Sequence, residues 1–139
     1  MMKILVVDDE KDVKLLFEQR FRREIREGLF SFAFTFSGEE ALAYLLQEQH
    51  YSEVVLILSD VNMPGMSGLE LLRHIKKDHP VPPPTVMIIT AYGDAESYAR
   101  AMQLGAADFL VKPIDFALLK QKLLPLNSAP GPVDAGGSA

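Results

Sequence analysis

The sequence predicts an α/β fold: a doubly wound, five-stranded parallel sheet in alternating (βα)5 order, with helices on both faces. Three observations carry this reading. Short apolar runs alternate with amphipathic segments through five rounds, the pattern of repeated βαβ units. Two of the runs, Val54 to Leu58 and Val86 to Ile89, are uninterrupted, as strands covered on both faces are. Charged residues stand at the ends of the runs: Asp8 and Asp9 after Val7, Asp60 after Ser59, and Lys112 after Val111. Open α/β sheets bind ligands at the carboxyl ends of their strands.

Taken in order, Ile4 to Val7 reads as the first buried strand. Lys11 to Glu27 follows as one helix with Val13, Leu16, Phe17 and Ile25 on its inner face and Gly28 at its end. Phe30 to Phe36 alternates Phe30, Phe32, Phe34 and Phe36 on one side with Ser31, Ala33 and Thr35 on the other, which is the period of a strand. Ser37 with Glu40 forms a capping-box pattern before a helix through Gln47, and Ser67 with Glu70 repeats it before a helix through Lys77. Pro80, Pro82, Pro83 and Pro84 keep the next segment extended. A fourth helix is expected over Ala95 to Leu104, ending at Gly105, and a fifth from near Asp115 to Pro125. Residues 1–125 thus read as one domain. Residues 126–139, rich in Pro, Gly, Ser and Ala, read as a flexible tail or linker.

Composition narrows the class. A chain of 139 residues with 48% hydrophobic and 24% charged residues suits a single domain with a real core. The absence of cysteine excludes a disulfide scaffold, a thiolate metal site and a cysteine nucleophile. No apolar run is long enough to span a bilayer and none at the start reads as a secretory signal, so a cytoplasmic location without membrane contact is expected. The net charge of -5 argues against direct nucleic-acid binding by this domain.

If the strands are parallel, Asp8, Asp9, Asp60 and Lys112 share one pocket. Carboxylates held so close repel one another. A hard divalent cation with oxygen ligands, Mg2+ above all, relieves that repulsion and draws in phosphate.

The residues also resemble a known family. Leu5-Val-Val-Asp-Asp-Glu10, Asp60-Val-Asn-Met-Pro-Gly-Met-Ser-Gly68, Thr90-Ala-Tyr-Gly-Asp94 and Gly105-Ala-Ala-Asp-Phe-Leu-Val-Lys-Pro113 occur in order and at suitable spacing. Together they resemble the receiver domain of two-component response regulators, a flavodoxin-like fold, over Lys3 to about Leu124. The resemblance implies a phosphorylation-dependent switch rather than a turnover enzyme. Asp60 would accept a phosphoryl group from a phosphohistidine on a histidine kinase or phosphotransfer protein. Mg2+ would be held by Asp9, Asp60 and the Asn62 backbone carbonyl, with Asp8 acting through a metal-bound water. Lys112, the Thr90 hydroxyl, the Ala91 N–H and Asn62 would contact the phosphoryl group. Thr90 and Phe109 would form the switch pair, and the bond before Pro113 would be cis. Asn62 and Tyr92 lie where the family tunes acyl-phosphate lifetime. Output would pass through the face from Ala95 to Leu124, by docking a target or by homodimerisation, to an output domain or target not named by the sequence.

Other signals have plainer readings. Arg20, Arg22, Arg23 and Arg26 are interleaved with glutamates, giving pairs such as Glu18 with Arg22 and Arg23 with Glu27 on a solvated helix face. His50, His74 and His79 lack metal-ligand spacing. Met63 and Met66 flank the Asp60 loop and are expected to shape a partner surface, with packing alone as the alternative. Two rival functions fit the same residues: an interaction module of this fold that works without phosphorylation, and an aspartyl-phosphate phosphatase. The phosphatase would need a second acid near Asp60 for water attack, where the chain has Asn62, and a cap-sized insertion that is absent.

Overall fold

The computed structural model describes residues 2–47, 53–78, 84–91 and 93–128. The readings that concern Tyr92, His50, His79, Pro80, Pro82, Pro83 and residues 129–139 fall outside them. The element order is β1 (Met2–Val7), α1 (Asp12–Arg20), α2 (Arg22–Arg26), β2 (Phe30–Thr35), α3 (Gly38–Leu46), β3 (Val54–Asp60), α4 (Gly68–Asp78), β4 (Thr85–Thr90), α5 (Ala95–Gln103), β5 (Asp108–Val111) and α6 (Phe116–Ser128). The five strands form one sheet in the order β2-β1-β3-β4-β5, all neighbours parallel.

Alternation along the strands sends side chains to two cores. Leu5, Val7, Ile57, Val86 and Ile88 face α3, α4 and α5, meeting Ala41, Leu45, Leu71, Leu72, Ile75 and Ala101. Ile4, Val6, Leu56, Leu58, Met87 and Ile89 face the other way, toward Phe17, Phe21, Phe116, Leu119 and Leu123 of α1, α6 and the bend between α1 and α2. The second core is aromatic: the Phe17 ring lies 5.2 to 6.1 Å from those of Phe21, Phe32, Phe34 and Phe116.

Helix starts are marked as the sequence suggests. Ser67 and Glu70 exchange side-chain-to-backbone bonds at 3.0 and 3.1 Å, a complete capping box. At α3, Ser37 caps the Glu40 N–H, but Glu40 reaches one residue further back and accepts from Phe36.

Four expectations need correction. The helix expected over Lys11 to Glu27 bends at Phe21, whose φ of -109° and ψ of 19° leave the helical region, although the Phe21 and Ile25 N–H groups still bond four residues back. The bend seats Phe21 against Phe30 and Phe116, so Phe21 is core while Leu16 and Ile25 are partly exposed. Phe36 lies outside β2, because pairing with β1 ends where the Asp8 N–H reaches the Thr35 carbonyl and the Phe36 N–H is taken by Glu40. The last helix does not stop at Pro125 but runs to Ser128. A proline costs one helical bond, yet stopping there would withdraw Leu126, which packs against the aromatic core. Finally, Met63 is buried and Met66 packs against the core, so they serve packing rather than an exposed partner surface.

Candidate functional site

The site lies beyond the carboxyl ends of β1, β3, β4 and β5. Register brings it together: Val7 pairs with Ser59, so Asp8 and Asp60 leave neighbouring strands side by side. Oxygens of Asp8, Asp9 and Asp60 all lie within 4.8 Å of one another; Asp8 and Asp60 are buried and Asp9 is exposed. Asp60 is 2% exposed, and both its oxygens are engaged: Oδ1 accepts the Asn62 N–H at 3.2 Å, and Oδ2 accepts from Lys112 Nζ at 2.8 Å. Lys112 Nζ also lies 3.8 Å from Asp8 Oδ2 and 3.8 Å from Glu10 Oε1. The Lys112 N–H donates to the Thr90 carbonyl at 2.9 Å, and the Lys112–Pro113 peptide bond is cis.

Electrostatics follow from this crowding. Burial pushes the Asp8 carboxyl up from its ordinary value, with Asp60 and Glu10 adding to the push; the Glu10 N–H and the Lys112 ammonium oppose it and are outweighed. Burial draws Lys112 down, but its hydrogen bond to Asp60 and the surrounding carboxylates prevail and hold it above the ordinary lysine value. Asp8 Oδ2 is buried without a hydrogen-bond partner. An orphaned carboxylate oxygen beside two further carboxylates, one open to solvent, is a donor set that fits a hard divalent cation.

Thr90, 2% exposed, ends β4, followed by exposed Ala91. Both border a hollow of about 220 Å3 lined also by Asp94, Tyr98, Phe109 and Val111. The Phe109 ring is half-buried and stands edge-on to Tyr98, with centroids 4.6 Å apart. Tyr98 had no sequence signal beyond its place on the turn after the Asp94 cap, whose carboxylate accepts the Ser97 N–H at 3.1 Å. Glu10 is visible in the sequence as a third acid in the run, but nothing in the sequence marks it as a partner of Lys112. The loop motif gives Gly68 no separate role, yet a Cβ there would lie 2.1 Å from the Asp60 carbonyl oxygen, so only glycine lets α4 start against the site.

The response regulator receiver domain model matches residues 4–124. The chain belongs to the response regulator receiver domain family. This receiver is 39% identical over 112 residues to the DNA-binding transcriptional regulator NtrC of Salmonella typhimurium, covering 81% of the chain and 22% of that protein. It is 35% identical over 122 residues to the response regulator protein PilR of Pseudomonas aeruginosa, covering 86% and 24%. The receiver therefore spans about a fifth to a quarter of the length of these curated relatives. Among solved structures, the Francisella response regulator 1452 receiver domain superposes with a TM-score of 0.75 at 25% identity, covering 91% of this chain and 97% of that one. NtrX from Brucella abortus gives 0.71 at 31%, covering 91% and 28%. The receiver is a signalling module rather than a turnover enzyme, and its Asp8, Asp9 and Asp60 cluster is consistent with a phosphoacceptor site. No helix among the described residues is long and apolar enough to cross a membrane.

Proposed function

We propose that this receiver is a phosphorylation switch in which Asp60 takes a phosphoryl group from a phosphohistidine of a histidine kinase or phosphotransfer protein. The observation that supports this most is the 2.8 Å pair between Lys112 and Asp60, set in a pocket with two more carboxylates. An Asp60 oxygen forms the new P–O bond as the donor P–N bond breaks, and the imidazole leaves with the bonding pair. Such a transfer needs positioning and charge neutralisation more than covalent help. Lys112 lies where its ammonium can pass from the carboxylate to the phosphoryl oxygens, while the Thr90 hydroxyl, the Ala91 N–H and Asn62 offer further contacts. Asp9, Asp60 and the Asn62 carbonyl would hold Mg2+, with Asp8 acting through a bound water. When bound, the ion would supply neutralisation of the developing phosphoryl charge.

The response is then a rearrangement of Thr90 and Phe109, which border the same hollow. Partly exposed Tyr98, Met102, Leu118 and Leu124 on α5 and α6 support the Ala95 to Leu124 stretch as the output surface, used by a second copy or by an output domain or target. Cytoplasmic kinases would be the donors, and the residues beyond α6 a flexible tail or linker.

Incubation with a small acyl phosphate donor and Mg2+ tests this reading. Intact mass should show one added phosphoryl group, lost in Asp60→Asn and in the presence of a chelator. Continuous release of phosphate with turnover would point instead to a phosphatase, and no modification at all to an inert module.

A further inference from the structure

The loop between β3 and α4 is tied at its base by the Val61 N–H to the Ile89 carbonyl at 3.0 Å and the Gly68 N–H to the Val61 carbonyl at 2.9 Å. At its tip, the Met66 N–H donates to Glu39 Oε2 at 3.1 Å, a bond to a different element 27 residues earlier in the chain. We infer that Glu39 is a positioning residue for the Asp60 site, clamping the loop that carries Asn62; this rests on the reading of Asp60 given above.

Glu39 stands in the first turn of α3, where the helix dipole favours a carboxylate. It is not needed for capping, because Ser37 caps the Glu40 N–H and Glu40 takes the Phe36 N–H. The loop is shaped around it. Gly65 has a φ of +74°, and a Cβ there would lie 2.8 Å from Glu39 Oε2, so the carboxylate occupies the space above a residue that must be glycine. The contact is reciprocal: a Cβ on Gly38, the residue before Glu39, would lie 2.9 to 3.0 Å from the Met66 side chain, which packs down onto the start of α3.

Without the clamp, residues 62 to 66 keep the two base contacts and the apolar seats of Met63 and Met66, but lose the hydrogen bond that fixes the backbone at the tip. The Asn62 N–H to Asp60 Oδ1 bond and the direction of the Asn62 carbonyl then depend on a looser chain. The cost falls on whatever must order Asn62, namely the cation, and not on the chemistry once the site is assembled.

Full-length wild type, Glu39→Gln and Glu39→Ala separate this from other roles. Glutamine keeps an oxygen acceptor for the Met66 N–H but loses the charge; alanine loses both. In metal-free protein, amide hydrogen exchange at Met66 should quicken roughly tenfold or more in Glu39→Ala, the lower end of what one lost hydrogen bond to a charged group costs. Amides of β1 and β3 should be unaffected. The Mg2+ concentration for half-maximal phosphorylation by acetyl phosphate should rise by a similar factor, with the rate at saturating Mg2+ unchanged, and Glu39→Gln should restore both quantities to within about threefold of wild type. Equal Met66 exchange in wild type and Glu39→Ala, or a glutamine variant as impaired as alanine, would overturn the clamp. Failure of wild type itself to be modified would overturn the Asp60 reading and the positioning role with it. A modified wild type with an indifferent Glu39→Ala would overturn the positioning role alone.

Discussion

Replacing Asp8 by asparagine should stabilise the metal-free receiver while weakening its response to Mg2+. Asp8 is 2% exposed; its Oδ1 accepts the Glu10 N–H at 2.9 Å, but Oδ2 has no hydrogen-bond partner. Its repulsion from Asp60, at no more than 4.8 Å, is at least about 3.5 kcal/mol at an effective dielectric near 20. Its attraction to Lys112 at 3.8 Å is about 4.4 kcal/mol on the same scale. These nearly cancel. Asp9 adds a further repulsion, reduced by its exposure to solvent, and the orphaned oxygen adds a desolvation cost of about 1 to 3 kcal/mol. Asparagine keeps the acceptor for Glu10, removes the charge and places an N–H donor beside Asp60. The expected gain is about 1 to 3 kcal/mol, or a rise of roughly 1 M in the urea midpoint, measured in a chelator. In Mg2+ the gap should close or reverse. A cation at a hundred times its Kd stabilises wild type by about 2.7 kcal/mol, whereas the asparagine variant should gain much less. A variant no more stable than wild type in chelator would refute the view that Asp8 is held at a cost for the cation.

Other perturbations reach the switch, the core and the output face. Thr90→Ala should still be phosphorylated yet show a weak change in partner association on beryllofluoride addition, because one bond to a charged group supplies about 1.5 to 3 of the roughly 5.5 kcal/mol that a full population shift needs; normal association would count against the coupling. Phe17→Ala should cost about 3 to 5 kcal/mol in denaturant melts, since its fully buried ring meets four others, and a loss under 1 kcal/mol would contradict the packing. For Asp108, burial raises the carboxyl, but the Lys122 hydrogen bond at 2.6 Å, the Phe109 N–H and the Lys122 charge outweigh it and leave the group below its usual 3.8. A depressed carboxylate stabilises the fold above the unfolded value and loses that contribution as pH falls through the folded one. Asp108→Asn should thus be less stable than wild type at neutral pH and flatter below about pH 4 in acid titration followed by circular dichroism; parallel curves would refute the pairing.

The elements were legible because local chemistry states them twice. At Ser67 and Glu70 a cap and an apolar period agree, and the uninterrupted run at Val54 to Leu58 lies at the sheet centre between β1 and β4. What was missed depends on contacts distant in sequence. The bend at Phe21 is set by rings of β2 and α6, and the persistence of α6 past Pro125 by Leu126 against the core. Glu39 looked like any first-turn acid. Its role arises from a loop 27 residues away, and neither helix propensity nor charge pattern records such a pairing.

The convergence of Lys112 on Asp60 shows how topology turns sequence order into chemistry. The ladder sets Asp60 opposite Ile89, and Ile89 opposite Leu110, so Lys112 lies two residues beyond the level of Asp60 and two strands away. That separation is roughly 10 Å across the sheet and 6 to 7 Å along it, or about 12 Å on the diagonal. An extended lysine side chain covers about half of it. The 2.8 Å hydrogen bond and the reach of the aspartate cover the remainder, so the contact closes only when both side chains point at each other across the end of β4. Thr90 ends that strand, and its carbonyl accepts the Lys112 N–H at 2.9 Å, which fixes the backbone from which the lysine reaches. Position 112 therefore needs the length of lysine as much as its charge.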